Sequence, residues 1–289
     1  MTIDIQRVSK SFGRARVLDE LTLEIPTRQR VALVGANGAG KTTLIRCLLG
    51  QYEFGGRISV EGRSPRADRR EVLRRIGFVP QLPPPLGLTV GQLIRFSAGL
   101  CEASPERMWL VAKRLGLDVD AVRGRVFSKL SGGQKQKLLI AVALGRDTDL
   151  LIMDEPAANL DPDARRIFFD LLAERSQQAT MLISSHRLDE VAQLVHRVVE
   201  LDHGQICLDD HVAESGELDA MLRCRIEFRR HESSAAKTLA EWGFEEQPGG
   251  LRFDGDVPGP DRLRFLGMLA RYSGLISRLE LKSNEVSDE

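Results

Sequence analysis

The sequence predicts an α/β core of parallel strands, entered through an antiparallel β segment and followed by a small α+β unit. Three observations carry this prediction. First, Val31-Ala-Leu-Val34, Leu150-Leu-Ile-Met153 and Met181-Leu-Ile-Ser184 are short apolar runs joined to helical sequence, the look of strands buried on both faces of a parallel sheet. Second, from Ile3 to about Val17 and over Thr22 to Ile25, apolar residues alternate with polar ones, as in half-buried antiparallel strands. Third, past residue 215 the pattern changes to short strands and helices in a new order.

Composition narrows the classes. With 289 residues, 42% of them apolar, the chain can bury one large core, or one large and one small. Lysine plus arginine number 41 and aspartate plus glutamate 41, so there is no net basic field and nucleic acid is not an expected partner. The longest apolar candidate, Leu138 to Leu144, falls far short of the ~20 residues a spanning helix needs, so no direct membrane insertion is expected. The opening Thr2, Ile3 and Asp4 carry no export signal, and four cysteines without CxxC spacing fit a reducing compartment; a cytoplasmic location is the expectation. Cys47, Cys101, Cys207 and Cys224 read as small buried hydrophobes. His203, Cys207 and His211 recur every fourth residue, with Cys224 beyond. Gly204 and the alternation of Ile206 and Leu208 mark a turn entering a strand, where that spacing does not converge on a metal.

Between the first two parallel strands the sequence is mostly helical. Thr89 and Ser104 suit N-caps, Pro105 suits a first helical position, and residues 83–147 read as a helical insert opened by the stiff spacer Pro83-Pro84-Pro85. In the tail, Arg225 to Phe228 reads as strand and Ser233 to Glu241 as helix. Phe244 to Phe253 reads as two strands turned at Gly249-Gly250, Pro260 to Tyr272 as helix and Ile276 to Leu281 as strand. The order βαββαβ is the ferredoxin-like one, which divides the chain into residues 1–215 and 216–289.

Gly35-Ala-Asn-Gly-Ala-Gly40-Lys41-Thr42 fits G-x-x-x-x-G-K-[ST], placed between a buried strand and a helix starting near Lys41. Glycines let successive N–H groups turn toward one anion and the helix dipole adds to them. Lys41 can reach the β/γ-phosphates and Thr42 can ligate Mg²⁺. Gly35, Asn37, Gly38, Gly40, Lys41, Thr42 and Thr43 are therefore candidate phosphate contacts. A chance match has odds of roughly one in a hundred. The pentad Leu130-Ser131-Gly132-Gly133-Gln134, with Ser131 standing 90 residues after Lys41, has odds on the order of a few in ten thousand. Ser131 suits the N-cap of a helix running to about Gly145, so Ser131, Gly132, Gly133 and Gln134 form a second anion-facing helix end.

The pentad resembles the signature of the ATP-binding-cassette (ABC) family, and the order of motifs matches that family over residues 1 to about 210. The resemblance implies a P-loop NTPase cassette with an antiparallel β subdomain and a helical insert. It implies ATP and Mg²⁺ as cofactors, with Asp154 directed to Mg²⁺ and Glu155 to the attacking water as general base. Gln81 falls at the family's glutamine loop, facing Mg²⁺ and the water. Asn159-Leu160-Asp161 resembles its D-loop, with Asp161 a nucleotide-site residue, and His186 resembles its switch histidine. Phe12 takes the place of an adenine-stacking tyrosine, or is ordinary strand core. Two copies would pack head to tail, each ATP held by the phosphate loop of one and Ser131 of the other, driving a separate membrane-spanning permease from the cytoplasmic face. A substrate-binding or accessory protein is a further candidate partner. The single cassette with its tail resembles export-type or ABC-2-type subunits, among them those of nitrous-oxide-reductase maturation, drug and haem export. Regulatory, repair and ribosome-associated ABC ATPases are the alternative class.

Overall fold

The computed structural model describes residues 1–175, 179–186, 191, 194–211, 221–258, 262–270 and 272–283. Two compact units account for them, one formed by Met1–Arg187 with Leu194–Asp210, the other chiefly by His211–Glu289.

The first unit opens with β1 (Ile3–Phe12) and β2 (Ala15–Ile25), antiparallel from Ile3 opposite Ile25 to Phe12 opposite Ala15. After β3 (Arg30–Val34) and α1 (Lys41–Leu48), β4 (Gly55–Val60) returns to the free edge of β1, giving the order β2-β1-β4. Next come α2 (Arg69–Arg74) and β5 (Ile76–Val79), then the helices of the insert: α3 (Val90–Cys101), α4 (Pro105–Arg114), α5 (Val119–Val122) and α6 (Gly132–Leu144). The chain continues through β6 (Leu150–Asp154), α7 (Pro162–Arg175), β7 (Thr180–Ser184), β8 (Arg197–Asp202) and β9 (Gln205–His211). A second sheet has the order β5-β6-β7-β3-β8-β9, parallel at every pairing from β5 to β8.

The alternation in β1 and β2 puts Ile3, Ile5, Leu23 and Ile25 on one buried face. These join Leu44, Ile45 and Leu48 of α1 and Leu33, Ile152 and Leu182 of the parallel strands in one apolar cluster. The phosphate-loop helix is thus held by both sheets. The insert has its own cluster, in which Val90, Ile94, Met108, Phe127 and Leu138 are fully buried. Its helices start where the caps predict: Thr89 makes a capping box with Gln92, and Ser104 caps α4 with Pro105 in the first turn.

Two features depart from the sequence reading. β4 and β5 are strands within a stretch read as mostly helical. Both are short, and Gly55, Gly56 and Gly77 dilute the strand signal. At Gly77 a Cβ would lie 2.6 Å from a Leu151 methyl group of the neighbouring strand and 3.0 Å from the Ala143 carbonyl oxygen, so a side chain there would crowd the sheet. The cysteines also divide: Cys47 and Cys224 are buried, and burial pushes their thiols up to about 11 and about 12, whereas Cys207 is exposed.

The second unit contains β10 (Met221–Phe228), a helix at Ser233–Glu241, β11 (Glu245–Glu246), β12 (Arg252–Pro258), a helix at Arg262–Ala270 and β13 (Ile276–Ser283). Its sheet, β11-β12-β10-β13, is antiparallel at every pairing, the split-βαβ arrangement that the element order predicts. Phe244 stacks on Phe265 at 5.0 Å among buried Cys224, Ile226, Phe228 and Leu239.

Among the described residues, the buried clusters of the first unit draw on side chains no later than Ile206, and that of the second on residues from Leu222 onward. A chain ending at Gly216 should therefore melt cooperatively and keep its affinity for nucleotide. Circular dichroism and equilibrium binding of a fluorescent ATP analogue test this. A folded but non-binding product would mean that the tail contributes to the site.

Candidate functional site

Parallel strands deliver their C-terminal ends to one edge of the sheet, where crevices form between neighbouring loops. Here β6, β7 and β3 are consecutive neighbours. The loop Gly35–Gly40 follows β3, Asp154 and Glu155 end β6, Ser185 and His186 follow β7, and Gln81 follows β5 on the next strand position.

Gly35, Gly38 and Gly40 have φ of 142°, 88° and 111°, backbone that L side chains rarely adopt. A Cβ at Gly35 would also lie 2.3 Å from the carbonyl oxygen of Leu201. Asn37 and Gly38 stand exposed on the crest of the loop, while Lys41 is buried and its ammonium donates to the carbonyls of Gly35 at 2.6 Å and Ala36 at 3.3 Å. No side chain caps α1, so the amides of Lys41, Thr42 and Thr43 at its start are left for an anion. Gly35→Ala should cost about 2 kcal/mol in stability and weaken nucleotide binding at least tenfold, because the loop has to move away from Leu201. A thermal melt and a binding titration check both. An unchanged melting temperature and affinity would contradict the close packing of this loop.

Asp154 is buried and accepts from the Ser184 hydroxyl at 2.7 Å; the same hydroxyl oxygen accepts from the backbone N–H of Glu155 at 3.0 Å. Glu155 has φ of 48°, a left-handed turn that re-aims its side chain at the strand end. Its carboxylate is largely buried, and one oxygen meets Nδ1 of His186 at 2.7 Å. The pair leaves one carboxylate oxygen and the imidazole Nε2 outside that contact, which is an arrangement able to take a proton from water beside an anion. Gln81 is exposed, and the hydroxyls of Thr42 and Thr43 are part-exposed at the first turn of α1. Phe12 is 44% exposed, so it is not strand core. Its ring meets Tyr52 edge-on at 5.2 Å, with the Lys10 ammonium 4.8 Å from its centroid.

Ser131 caps α6 in a full capping box: its hydroxyl accepts from the N–H of Gln134 at 3.2 Å, and Gln134 Oε1 accepts from the Ser131 N–H at 3.1 Å. The Gln134 oxygen is thus committed to the cap, while the Ser131 hydroxyl hydrogen and the Gly132 and Gly133 amides stay available. Among the described residues no hydrogen bond or ion pair joins this turn to the Gly35–Thr43 loop. Its ties run instead to the loop after Glu155. A Cβ at Gly133 would lie 3.1 Å from the Asn159 carbonyl, fully buried Gln136 donates to the Pro156 carbonyl at 2.8 Å, and Lys137 pairs with Asp161 at 2.7 Å. The Asp161 carboxylate also caps α7 through the Ala164 N–H at 2.9 Å, and the Lys137 hydrogen bond, with that cap, holds it below the usual carboxylate range.

Ser184, Gln136 and Lys137 were not singled out from the sequence. Gln136 carried a signal, as a polar residue amid the apolar positions of α6. The residues of the fourth-residue pattern have other contacts: His203 Nδ1 lies 2.8 Å from Asp202, and Cys207 donates to the Glu200 carbonyl at 3.5 Å.

A family model described as ABC transporter matches residues 18–158. The Nod factor export ATP-binding protein I of Burkholderia lata is 34% identical over 301 residues, covering 96% of this chain and 96% of its own. Phosphonates import ATP-binding protein PhnC 1 of Pseudomonas aeruginosa is 33% identical over 240 residues, covering 73% of this chain and 86% of its own. A solved ATP-binding subunit of an ABC transporter superposes with a TM-score of 0.67 at 25% identity, covering 73% of this chain and 90% of that one. With two helix N-termini whose amides are open to an anion, a carboxylate pair at a strand end and full-length similarity to such subunits, this chain belongs to the ABC transporter family, as an ATP-binding and ATP-hydrolysing subunit.

Proposed function

We propose that the chain powers an exporter, working as a head-to-tail pair on a separate membrane-spanning permease at the cytoplasmic face. The observation that carries the export reading is the reach of similarity. One relative named for Nod factor export aligns over 96% of both chains, tail included, while two others of that name align over 70% of this chain and a phosphonate-import relative over 73%. No described helix is long and apolar enough to cross a membrane.

In this reading Gly35 to Thr43 grip the β- and γ-phosphates of ATP, Phe12 stacks on the base, and Lys41 exchanges its loop carbonyls for phosphate oxygens. Glu155 takes the proton of the attacking water. His186 holds Glu155 through Nδ1 and offers Nε2 to the γ-phosphate. The Ser131 turn of the second copy closes the site with a hydroxyl and two glycine amides. Thr42, Asp154 and Gln81 offer a hydroxyl, a carboxylate and an amide carbonyl, an all-oxygen donor set that suits Mg²⁺. Mg²⁺ held there would neutralise charge developing on the phosphates. The Asp154 carboxylate is already oriented for that task by Ser184.

Affinity purification of the tagged chain from detergent-solubilised membranes tests the assignment. A polytopic membrane protein in comparable amount, with no extracytoplasmic substrate-binding protein, is the expected result. Recovery with such a binding protein would overturn export in favour of import. Recovery with ribosomes or DNA would overturn the transporter role.

A further inference from the structure

The two edges of the tail sheet are unlike. One is β11, only 2 residues long; the other is β13, 8 residues, which among the described strands pairs with β10 alone. An edge cut to two residues offers little to a neighbour. A long one presents a row of N–H and C=O groups, which is a template for another strand.

Charge decides what that strand is. Charged residues commonly protect an edge from self-pairing by setting like charges opposite each other. In β13 the order Arg278, Leu279, Glu280 does the reverse. If two copies of the strand run antiparallel about a two-fold axis at Leu279, Arg278 of each lies opposite Glu280 of the other, twice over. Arg278 and Glu280 share one face of the sheet and already pair within the chain at 2.5 Å, so both signs are present where a second copy would meet them. Leu279 stands opposite core residue Ile226 yet remains 39% exposed, and in this register it packs on its own copy across the axis.

We propose that two copies of the chain pair through β13, antiparallel and centred on Leu279, joining two four-stranded sheets into one of eight. The contact uses no residue of the nucleotide site and needs no nucleotide. It is therefore separable from the ATP-dependent pairing proposed above.

Sedimentation velocity on the full chain without nucleotide tests it, over a concentration series into hundreds of micromolar. A reversible monomer–dimer equilibrium is expected. Arg278→Glu alone, or Glu280→Arg alone, sets like charges opposite on both sides of the axis and should weaken the dimer about tenfold or more. The chain carrying both substitutions regains complementarity and should dimerise like the parent. The two single variants, mixed, should form the heterodimer in preference to either homodimer. Arg278 is exposed, whereas Glu280 is 24% exposed and lies 3.8 Å from Arg225 of β10, so circular dichroism and a thermal melt verify that each chain is folded. A parent chain that stays monomeric, a dimer indifferent to the single reversals, or a double variant no better than the singles would each overturn the proposal. So would binding of a foreign strand in place of the second copy. None of these outcomes touches the ATP-dependent dimer, which is measured with nucleotide present.

Discussion

Glu155→Gln should bind ATP with unchanged affinity and hydrolyse it about 10²–10⁴ times more slowly than the parent, the range over which a positioned general base acts. The geometry favours a clean effect. Glutamine keeps the length of the side chain, and its amide can hydrogen-bond Nδ1 of His186 in either tautomer, accepting through its oxygen or donating through its NH₂, where Nδ1 now lies 2.7 Å from a carboxylate oxygen. The backbone N–H of Glu155 remains held by Ser184, and the Lys41 loop lies on another strand. What is lost is the capacity to take a proton. ATP should then accumulate in the shared site and hold two chains together, visible in size-exclusion chromatography at concentrations below the β13 equilibrium as a dimer with MgATP and a monomer with MgADP. Single-turnover kinetics read the chemical step directly. Hydrolysis within a factor of ten of the parent would remove Glu155 from the role of base. A slow enzyme that stays monomeric with ATP would remove nucleotide from the role of glue.

The residues legible from sequence are those whose work is local. Gly35 to Thr43 act through consecutive amides, so the motif and its chemistry are nearly the same thing. Ser131 and Gln134 close a capping box within four residues, and the box forms. The missed residues work across the fold: the Ser184 hydroxyl meets Asp154 over 30 residues, and the Gln136 amide meets Pro156 over 20. Ser184 reaches Asp154 only once β6 and β7 are neighbours, and Gln136 reaches Pro156 only once α6 packs beside the end of β6, which no local pattern encodes. Strands β4 and β5 escaped for a related reason. Gly77 weakens a strand by propensity, yet a side chain there would crowd Leu151 and the Ala143 carbonyl. In the tail the element order was readable because Gly249 and Gly250, both at positive φ, mark the turn between two of its strands. The unequal edges of the sheet follow from the pairing of β10 with both β12 and β13, and so appear only in the fold.

Mixed dimers should show that each ATP site is shared between two chains. The structure motivates this through what Ser131 touches. Its turn is tied by Gly133, Gln136 and Lys137 to residues 156–161 of its own chain, and by no hydrogen bond or ion pair among the described residues to its own phosphate loop. Consider a Lys41→Ala chain paired with a Ser131→Arg chain. If sites are shared, one site joins the intact phosphate loop of the second chain to the intact Ser131 turn of the first, and the dimer retains ATP. If sites are self-contained, both are damaged and none is retained. A chain carrying both substitutions, paired with an otherwise unsubstituted chain, inverts the expectation: no intact shared site, but one intact self-contained site. Both pairings are made in a Glu155→Gln background and isolated through two different tags. Retained ATP per dimer is the readout, because turnover at two coupled sites need not scale with the number of intact ones. Arginine at position 131 places bulk where a phosphate would sit, so loss of binding there does not rest on losing one hydroxyl. ATP held by the second pairing and absent from the first would sink the shared-site mechanism, and with it the head-to-tail dimer.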